Sequence, residues 1–438
     1  MNVDLLIKNA AQLLTIPTDH GGPQRGQRLG ELGLIEDGAL AILDEQIVAV
    51  GPTADLTPRF QAEHVIDATG KVVLPGFVDP HTHVLWVGER AAEFEQRIAG
   101  ASYLEIMRAG GGIMSTVRAT RAASVDQLVE ETRPRLDRML AHGTTTVEVK
   151  TGYGLETAAE LRLIEALDRL IEEHHIDLAP TFLGAHAIPA EYTDRADAYT
   201  DLIVNEMLPA VKQLQIADFG SPIGSYRRQS AFRIPQFFCD VFCEGDAFTL
   251  AQARRILEQA QALGLGLKIH ADEFQPLGGT QLAVELGAVS ADHLVVTPPR
   301  EIEALGRSNT VAVSLPGTPF GLGHTAFTPA RAILDAGGIL ALATDCNPGT
   351  TWCESMPMII AIACRYLQLT PAQAIVASTL NAAYAIGQGD RVGSLAAERQ
   401  ADVLVLDAPD YRHMGYRYGT NLVETVIKRG RVVIDRNA

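Results

Sequence analysis

The middle of the chain alternates between short apolar runs and amphipathic helices, and this alternation constrains the fold more than any other feature. Apolar residues at three- and four-residue spacing predict helices in TAAELRLIEALDRLIEEHH and TLAQARRILEQAQALG. Eight apolar runs lie between segments of this kind: KVVLPGFVDPHTH, GTTTVEVKTGYG, LAPTFLGAHAIP, FCDVFCEGD, GLGLKIHADEF, AVSADHLVV, TVAVSLPGT and ILALATDCNPG. Eight strand–helix units predict an α/β fold, the (β/α)8 TIM barrel, whose active site forms at the C-terminal ends of the strands.

The two ends of the chain lack this alternation and consist of short strand-like segments. These include DLLIKNAAQLLTI and GALAILDEQIVAVG near the start, and ADVLVLD and VETVIKRGRVVID near the end. Neither end is long enough to bury much apolar surface alone, so we expect them to pair in one small β-sandwich domain. The predicted division assigns residues 1–72 and 386–438 to the small domain and residues 73–385 to the barrel.

The charge balance and the cysteines exclude several classes of function. A formal net charge of −17, from 36 basic and 53 acidic residues, repels phosphate backbones, so we expect no nucleic-acid partner. No run of about 18 apolar residues occurs and the N-terminus does not resemble a signal peptide, so we expect no membrane partner. The five cysteines form no Cys-x-x-Cys pair, which is typical of the reducing cytoplasm. These features favour a cytoplasmic protein that acts on a small molecule.

A His-x-His pair ends the first of the eight runs, in PGFVDPHTHVLW. Because alternate side chains of a strand share a face, His81 and His83 point the same way. Alone, such a pair is more often incidental than a metal site. However, the fifth run supplies His270 and the eighth supplies Asp345, and strand ends of a barrel converge. The four residues therefore predict a site for one divalent ion, Zn²⁺ or Fe²⁺.

Two further side chains at strand ends suggest acid–base chemistry beside this ion. A bound ion can lower the pKa of water to about 7, and Asp345 could accept the proton of that water. Glu273 could carry the proton to a leaving nitrogen, and His293 could stabilise an oxyanion. Each residue also has a structural alternative: His270 could donate to a carbonyl, Asp345 could cap a turn, and His293 could be a core residue. Taken together, these alternatives require several coincidences at one end of a barrel, which favours the metal site.

Three other features of the sequence are not assigned to the predicted metal site. Lys150 ends the second run, where we interpret it as an ion-pair partner rather than a catalytic lysine. His324, after the seventh run, is unassigned. The irregular segment Gly220–Phe237 precedes the fourth run, so we expect it to form a surface loop at the opposite end of the barrel.

The order of these residues resembles the amidohydrolase superfamily and, within it, the imidazolonepropionase family. PGFVDPHTH and ATDCNPGT are superfamily-wide motifs, whereas EVKTGYGL, TFLGAHA and KIHADE are more particular to the imidazolonepropionases. The resemblance runs over nearly the whole chain. It implies hydrolysis of 4-imidazolone-5-propanoate to N-formimidoyl-L-glutamate in histidine breakdown, with metal-bound hydroxide attacking the ring carbonyl while Glu273 and Asp345 handle protons.

The resemblance also implies residue roles. It assigns metal binding to His81, His83, His270 and Asp345, substrate contacts to Arg90, Tyr153, His186 and Glu273, and product contacts to Asn347, Gly349 and Thr350. The planar fork of Arg90 suits a propanoate carboxylate. We also expect a homodimer, although no motif specifies it. The alternatives are a purine or pyrimidine aminohydrolase of the same superfamily and a metal-binding homologue without turnover.

Overall fold

The computed structural model describes residues 1–18, 21–100, 105, 110–220 and 236–436, with the side chains of 215–220 left aside. The segment expected to form a surface loop, Gly220–Phe237, lies mostly outside the described residues. Within them, no helix is both long enough and apolar enough to cross a membrane.

Eight parallel strands form the central sheet, and each coincides with one of the eight apolar runs, so the barrel prediction is confirmed. In chain order they are Phe77–Asp79 (β6), Thr144–Lys150 (β7), Asp177–Ala185 (β8), Phe238–Cys243 (β9), Gly266–Ala271 (β10), Ser290–His293 (β11), Val311–Ser314 (β12) and Ile339–Leu342 (β13). Each strand pairs with the next in the sequence, from β6 to β13. Their residues are almost all buried, as expected of a parallel sheet covered on both faces.

The first and last strands of this sheet meet just beyond their C-terminal ends. The amide of Asp345 donates to the carbonyl of His81 over 3.0 Å, and the amide of His83 donates to the carbonyl of Cys346 over 3.0 Å. These bonds close the sheet into a barrel. They also place the His-x-His pair directly against Asp345, although more than 260 residues separate the two motifs in sequence.

Helices surround the barrel. The longer ones are Ala91–Ile98, Ile113–Ala122, Val125–Ala141, Thr157–Glu173, Leu208–Gly220, Leu250–Ala262, Gly279–Leu286, Pro299–Arg307 and Met356–Tyr366. Shorter helices are Thr53–Leu56, Ala196–Leu202, Gly317–Leu322, Ala330–Asp335, Pro371–Ala377, Leu380–Tyr384 and His413–Tyr416, with 3-10 turns at Gly26–Arg28 and Ala190–Tyr192 and a π turn at Ile203–Met207. The helix Leu250–Ala262 begins with a capping box in which Thr249 and Gln252 bond each other's backbone amides, so its start is encoded locally.

Both chain ends build the second sheet, as predicted. Its strands are Asn2–Leu14 (β1), Leu34–Leu43 (β2), Gln46–Pro52 (β3), Gln61–Asp67 (β4), Val72–Pro75 (β5), Val403–Leu406 (β14), Val423–Lys428 (β15) and Arg431–Asp435 (β16). They form one mixed sheet in the order β16-β15-β14-β5-β1-β2-β3, with β4 also paired to β1. An apolar cluster joins residues from both ends, including Ile7 and Leu40 with Val403 and Ile427.

The chain passes from the small sheet into the barrel at Gly76, between β5 and β6. A Cβ atom at this position would lie 2.2 Å from Oγ1 of Thr145, so the close approach of the two sheets requires glycine. A buried ion cluster joins the sheets at the other side of the contact. The carboxylate of Asp177, at the start of β8, lies 2.9 Å from both Arg391 and Lys428 and also contacts Arg429.

Candidate metal centre

Three imidazoles and one carboxylate converge where the barrel closes. Nε2 of His83 lies 3.3 Å from Nε2 of His81 and 3.3 Å from Nε2 of His270. Oδ1 of Asp345 lies 3.5 Å from Nε2 of both His81 and His83. The structure thus brings together all four residues that the sequence predicts as metal ligands.

The spacing and chemistry of these donors fit a divalent ion. Zinc–nitrogen bonds of 2.0–2.1 Å in a tetrahedral site place neighbouring donors about 3.3–3.4 Å apart, close to the spacing observed between the Nε2 atoms. Two imidazole nitrogens at 3.3 Å can also be accommodated by one shared proton. With a third imidazole and a carboxylate in the same cluster, there are more lone pairs than shared protons could bridge. The arrangement therefore favours a bound cation.

Burial governs the ionisation of the donors. It lowers the pKa of His81 and His83 well below the ordinary value, with neighbouring positive charges adding to the effect. Both imidazoles are therefore neutral at pH 7, the form that binds metal. Burial raises the pKa of Asp345 to about 6, and the hydroxyl of Thr318, which donates to Oδ2, opposes this rise. Thr318 follows the seventh strand, for which the sequence predicts no site residue.

Two of the predicted site residues themselves have strained backbone. Asp345 has a φ of 53° and His293 a φ of 79°, both in the left-handed region that non-glycine residues rarely adopt. Such strain persists only where surrounding contacts enforce it, and it is concentrated at functional sites. Here the left-handed backbone turns the side chains of Asp345 and His293 toward the barrel interior. The regular alternation of side chains along a strand would not orient both of them in this way.

Glu273 and His293 face each other beside the metal ligands. Oε2 of Glu273 lies 3.6 Å from Nδ1 of His293, which has no hydrogen-bond partner among the described residues. Burial raises the pKa of Glu273 well above its usual range, and the negative charges of Asp345 and Glu244 raise it further. A raised pKa makes this carboxyl group more able to hold and donate a proton, as a general acid does.

Arg90 is held between two parts of the chain. Its Nε donates to Oε2 of Glu93 over 2.7 Å, and Glu93 also accepts bonds from the amide of Gly112 and the hydroxyl of Ser115. On the other side, a Cβ at Gly349 would lie only 2.5 Å from Nη1 of Arg90. The guanidinium therefore has a defined orientation in which Nε is occupied by Glu93.

Two aromatic residues connect this arginine to the metal ligands. The ring of His186 stacks on that of His83, with centroids 4.7 Å apart and an interplanar angle of 16°. Burial lowers the pKa of His186 to about 3. Burial also raises the pKa of Tyr153, while Arg90 lowers it and Asp345 raises it, so Tyr153 lies within electrostatic reach of both. The rings of Tyr153 and His186 thus contact the metal ligand His83, and the charge of Arg90 acts on Tyr153.

Asn347 organises the loop that follows Asp345. Its Oδ1 accepts hydrogen bonds from the amides of Gly349 and Thr350, each over 2.8 Å. Its Nδ2 donates to the carbonyl of Asp345 over 2.7 Å and to Oγ1 of Thr350 over 2.8 Å. The Asn347 amide is therefore engaged within its own loop, and it shapes the site by placing Gly349 against Arg90.

Lys150 is an ion-pair partner, as the sequence analysis expects. Its ammonium lies 2.9 Å from Glu148 and 2.7 Å from Asp240. Sequence reasoning missed Asp240 and Asp292, whose carboxylates lie behind His270 and His81. Asp240 shares a strand face with Glu244 four residues later, a signal that could have identified it. His324 is exposed, and its ring is in contact with that of Phe274.

Comparison with known proteins identifies the family. The model of the amidohydrolase family matches residues 72–433. The chain is 58% identical to imidazolonepropionase of Herpetosiphon aurantiacus, covering 99% of this chain and 97% of that protein. It is 52% identical to imidazolonepropionase of Chloroflexus aggregans, covering 98% of each. The chain belongs to the imidazolonepropionase family of amidohydrolases.

Solved structures support the fold of this amidohydrolase. An adenosine deaminase from Xanthomonas campestris with bound zinc matches with a TM-score of 0.69 at 20% identity, covering 99% of this chain and 94% of that one. Atrazine chlorohydrolase from Arthrobacter aurescens, complexed with zinc, matches with a TM-score of 0.65 at 17% identity, covering 99% and 95%. At such identities the likeness concerns the architecture alone.

Proposed function

We propose that this chain hydrolyses 4-imidazolone-5-propanoate to N-formimidoyl-L-glutamate with one divalent ion held by His81, His83, His270 and Asp345. The observation that carries the proposal is the convergence of these four donors in a hydrolase whose relatives named imidazolonepropionase are up to 58% identical over nearly the full chain. The alternative function, a purine or pyrimidine aminohydrolase, has weaker support. The adenosine deaminase is 20% identical to this chain, and the likeness concerns the fold alone.

Arg90 is the residue we assign to the propanoate tail of the substrate. Nε is bonded to Glu93, and the two terminal nitrogens, which have no hydrogen-bond partner among the described residues, could bind a carboxylate. The rings of Tyr153 and His186 contact each other and the ring of His83, and in our proposal the imidazolone ring sits beside them when its tail reaches Arg90. Loss of Arg90 would therefore affect a substrate with a carboxylate more than one without it.

The ring-opening step needs one nucleophile and two proton transfers. A divalent ion supplies a coordinated water whose pKa is lowered to about 7. In our proposal Asp345 Oδ1 accepts the proton of the attacking water and the new carbon–oxygen bond forms at the ring carbonyl. Glu273 donates a proton to the ring nitrogen as the carbon–nitrogen bond breaks, and His293 hydrogen-bonds the developing oxyanion.

Three finer assignments belong to the same proposal. The ion is zinc or iron, because both accept imidazole and carboxylate donors, and zinc is bound in two structural neighbours. We place the protein in the cytoplasm, where its unpaired cysteines would stay reduced. We also infer a homodimer, which sedimentation analysis would test.

The decisive experiment combines metal analysis with an ultraviolet assay of imidazolone loss before and after chelation. We expect consumption by the metal-loaded protein, its loss on chelation and its recovery with zinc or iron. Arg90→Ala should lower kcat/KM by about 100-fold, since it removes a charge-assisted bidentate contact. Arg97→Ala, on the helix Ala91–Ile98 that follows Arg90 directly, is the matched control.

Each contrary outcome has a distinct meaning. Unchanged turnover by Arg90→Ala would refute the assigned binding mode. Ammonia release from a purine or pyrimidine, without imidazolone loss, would favour the aminohydrolase. Stoichiometric metal without any consumption would indicate a homologue that retains metal but lacks turnover.

A further inference from the structure

A group of charged side chains lies inside the barrel below the metal ligands. They come from the strands β7, β9, β10 and β11, and each has a relative exposure of 0%: Glu148, Lys150, Asp240, Lys268 and Asp292. Lys268 precedes His270 by two residues on the same strand face, so it lies one layer deeper in the barrel. Ionised groups are rarely buried so completely unless they are paired and serve a purpose beyond packing.

Two of the carboxylates contact metal ligands directly. Oδ2 of Asp292 lies 2.6 Å from Nδ1 of His81, and Oδ2 of Asp240 lies 3.0 Å from Nδ1 of His270. In both contacts the carboxylate lies next to Nδ1 of the imidazole, whereas Nε2 of the same ring faces the other metal-binding atoms. A carboxylate accepts a proton at Nδ1, which leaves the lone pair of Nε2 for the metal. The Asp240 contact is an ion-pair distance without hydrogen-bond geometry, and Nδ1 of His270, like Nδ1 of His83, has no hydrogen-bond partner among the described residues.

The two lysines connect these carboxylates to one another and to the chain. Nζ of Lys150 lies 2.7 Å from Asp240 and 3.8 Å from Asp292, so it is shared between them. Nζ of Lys268 donates to the carbonyl of Pro80 over 2.8 Å, which fixes the backbone next to His81. Both lysines also contact Glu148, at 2.9 and 3.1 Å.

We propose that Asp240 and Asp292, coupled through Lys150, are positioning residues that orient His270 and His81 and set the affinity of the centre for its ion. Three carboxylates and two ammonium groups leave one net negative charge beneath the ligands, which favours a cation above them. The inference rests on the proposed metal centre but not on the substrate. It also gives a role to Lys150, which the reaction itself does not use.

The test measures the affinity of the full-length, metal-free protein for Zn²⁺ by competition with a chromophoric chelator. We expect Asp292→Asn and Asp240→Asn each to bind Zn²⁺ about 10- to 100-fold more weakly. The double variant should lose more Zn²⁺ affinity than the product of the two single fold-changes, because Lys150 then retains only its ion pair with Glu148. The matched control is Asp177→Asn, which removes a buried carboxylate from another Lys/Arg cluster of the same barrel and should leave Zn²⁺ affinity within twofold.

The outcomes separate this inference from the proposed function. Wild-type affinity in Asp292→Asn and Asp240→Asn would overturn the inference, as would an equal loss in the control. Failure of the wild type to bind Zn²⁺ would refute the metal centre itself.

If neither variant folds, histidine-selective ¹⁵N spectra of the zinc-loaded wild type decide the matter. We expect Nδ1 to be protonated and Nε2 coordinated in His81 and His270. Coordination through Nδ1 of either residue would overturn the proposal.

Discussion

Replacing Gly349 with alanine tests the proposed carboxylate site with a single methyl group. The Cβ would lie 2.5 Å from Nη1 of Arg90, whereas ordinary contacts begin at 3.4 Å, so the guanidinium must move by about 0.9 Å. The backbone of Gly349 is not in the left-handed region, so alanine itself introduces no strain there. The main effect should therefore fall on the position of Arg90, with a smaller adjustment of Asn347, whose Oδ1 would lie 3.3 Å from the Cβ.

The size of the effect follows from the hydrogen bonds of the guanidinium. Nε is tied to Glu93 over 2.7 Å, so the group cannot simply swing away without breaking that bond. A shift of about 0.9 Å takes one arm of a bidentate contact out of the range of 2.7–2.9 Å. Losing one charge-assisted bond costs about 1.5–3 kcal/mol, or about 10- to 150-fold in kcat/KM.

The assay is imidazolone loss followed in the ultraviolet, with metal content and thermal stability measured on the same samples. Gly419→Ala is the control, because no atom lies within 4 Å of the added Cβ. An analogue without the propanoate carboxylate should be turned over equally well by wild type and Gly349→Ala. Unchanged kcat/KM for the full substrate would refute the contact between Arg90 and the substrate tail.

Two further predictions concern residues outside the metal shell. Glu93→Gln should raise KM by about tenfold, because a neutral acceptor holds Arg90 less firmly. The control, Glu95→Gln on the same helix, should leave KM unchanged. Equal KM values for wild type and Glu93→Gln in steady-state assays would contradict the positioning role of Glu93. Burial raises the pKa of Asp177, but the positive charges around it more than offset this and hold the pKa well below its usual range. Its ionised form therefore stabilises the fold fully above the unfolded pKa of about 3.9 and progressively less as the pH falls below it. Asp177→Asn should lower the free energy of unfolding at pH 7 by about 3 kcal/mol. Melting curves should show that the difference in stability between wild type and variant narrows below about pH 4. A difference that does not depend on pH would disprove the stabilising role of the ionised Asp177.

Much of the fold could be predicted from local patterns. Continuous apolar runs and helical periodicity depend on residues that are close in the chain, so the sequence predicts all eight barrel strands without any tertiary contact. The small sheet followed because neither end could bury enough surface alone. The irregular segment Gly220–Phe237 had no such periodicity, and its interpretation as a surface loop stays a prediction.

The contacts of the residues behind the site could not be predicted in this way. Asp292 contacts His81 across 211 positions of sequence, and Lys150 contacts Asp240 across 90 positions. No local period relates such residues, and a buried carboxylate on a strand looks the same whether it meets a histidine or a backbone amide. The left-handed turn at His293 also breaks the alternation on which sequence reasoning depends.

The sequence by itself determined which donor types end the strands, since His81, His83, His270 and Asp345 stand at the ends of recognisable runs. Only the tertiary structure decided how they are held. Closing the barrel places the first strand against the last, and this buries the charges beneath the ligands in a low dielectric where each must find a partner. The orientation of the histidines therefore depends on the closed barrel, because their partners come from other strands.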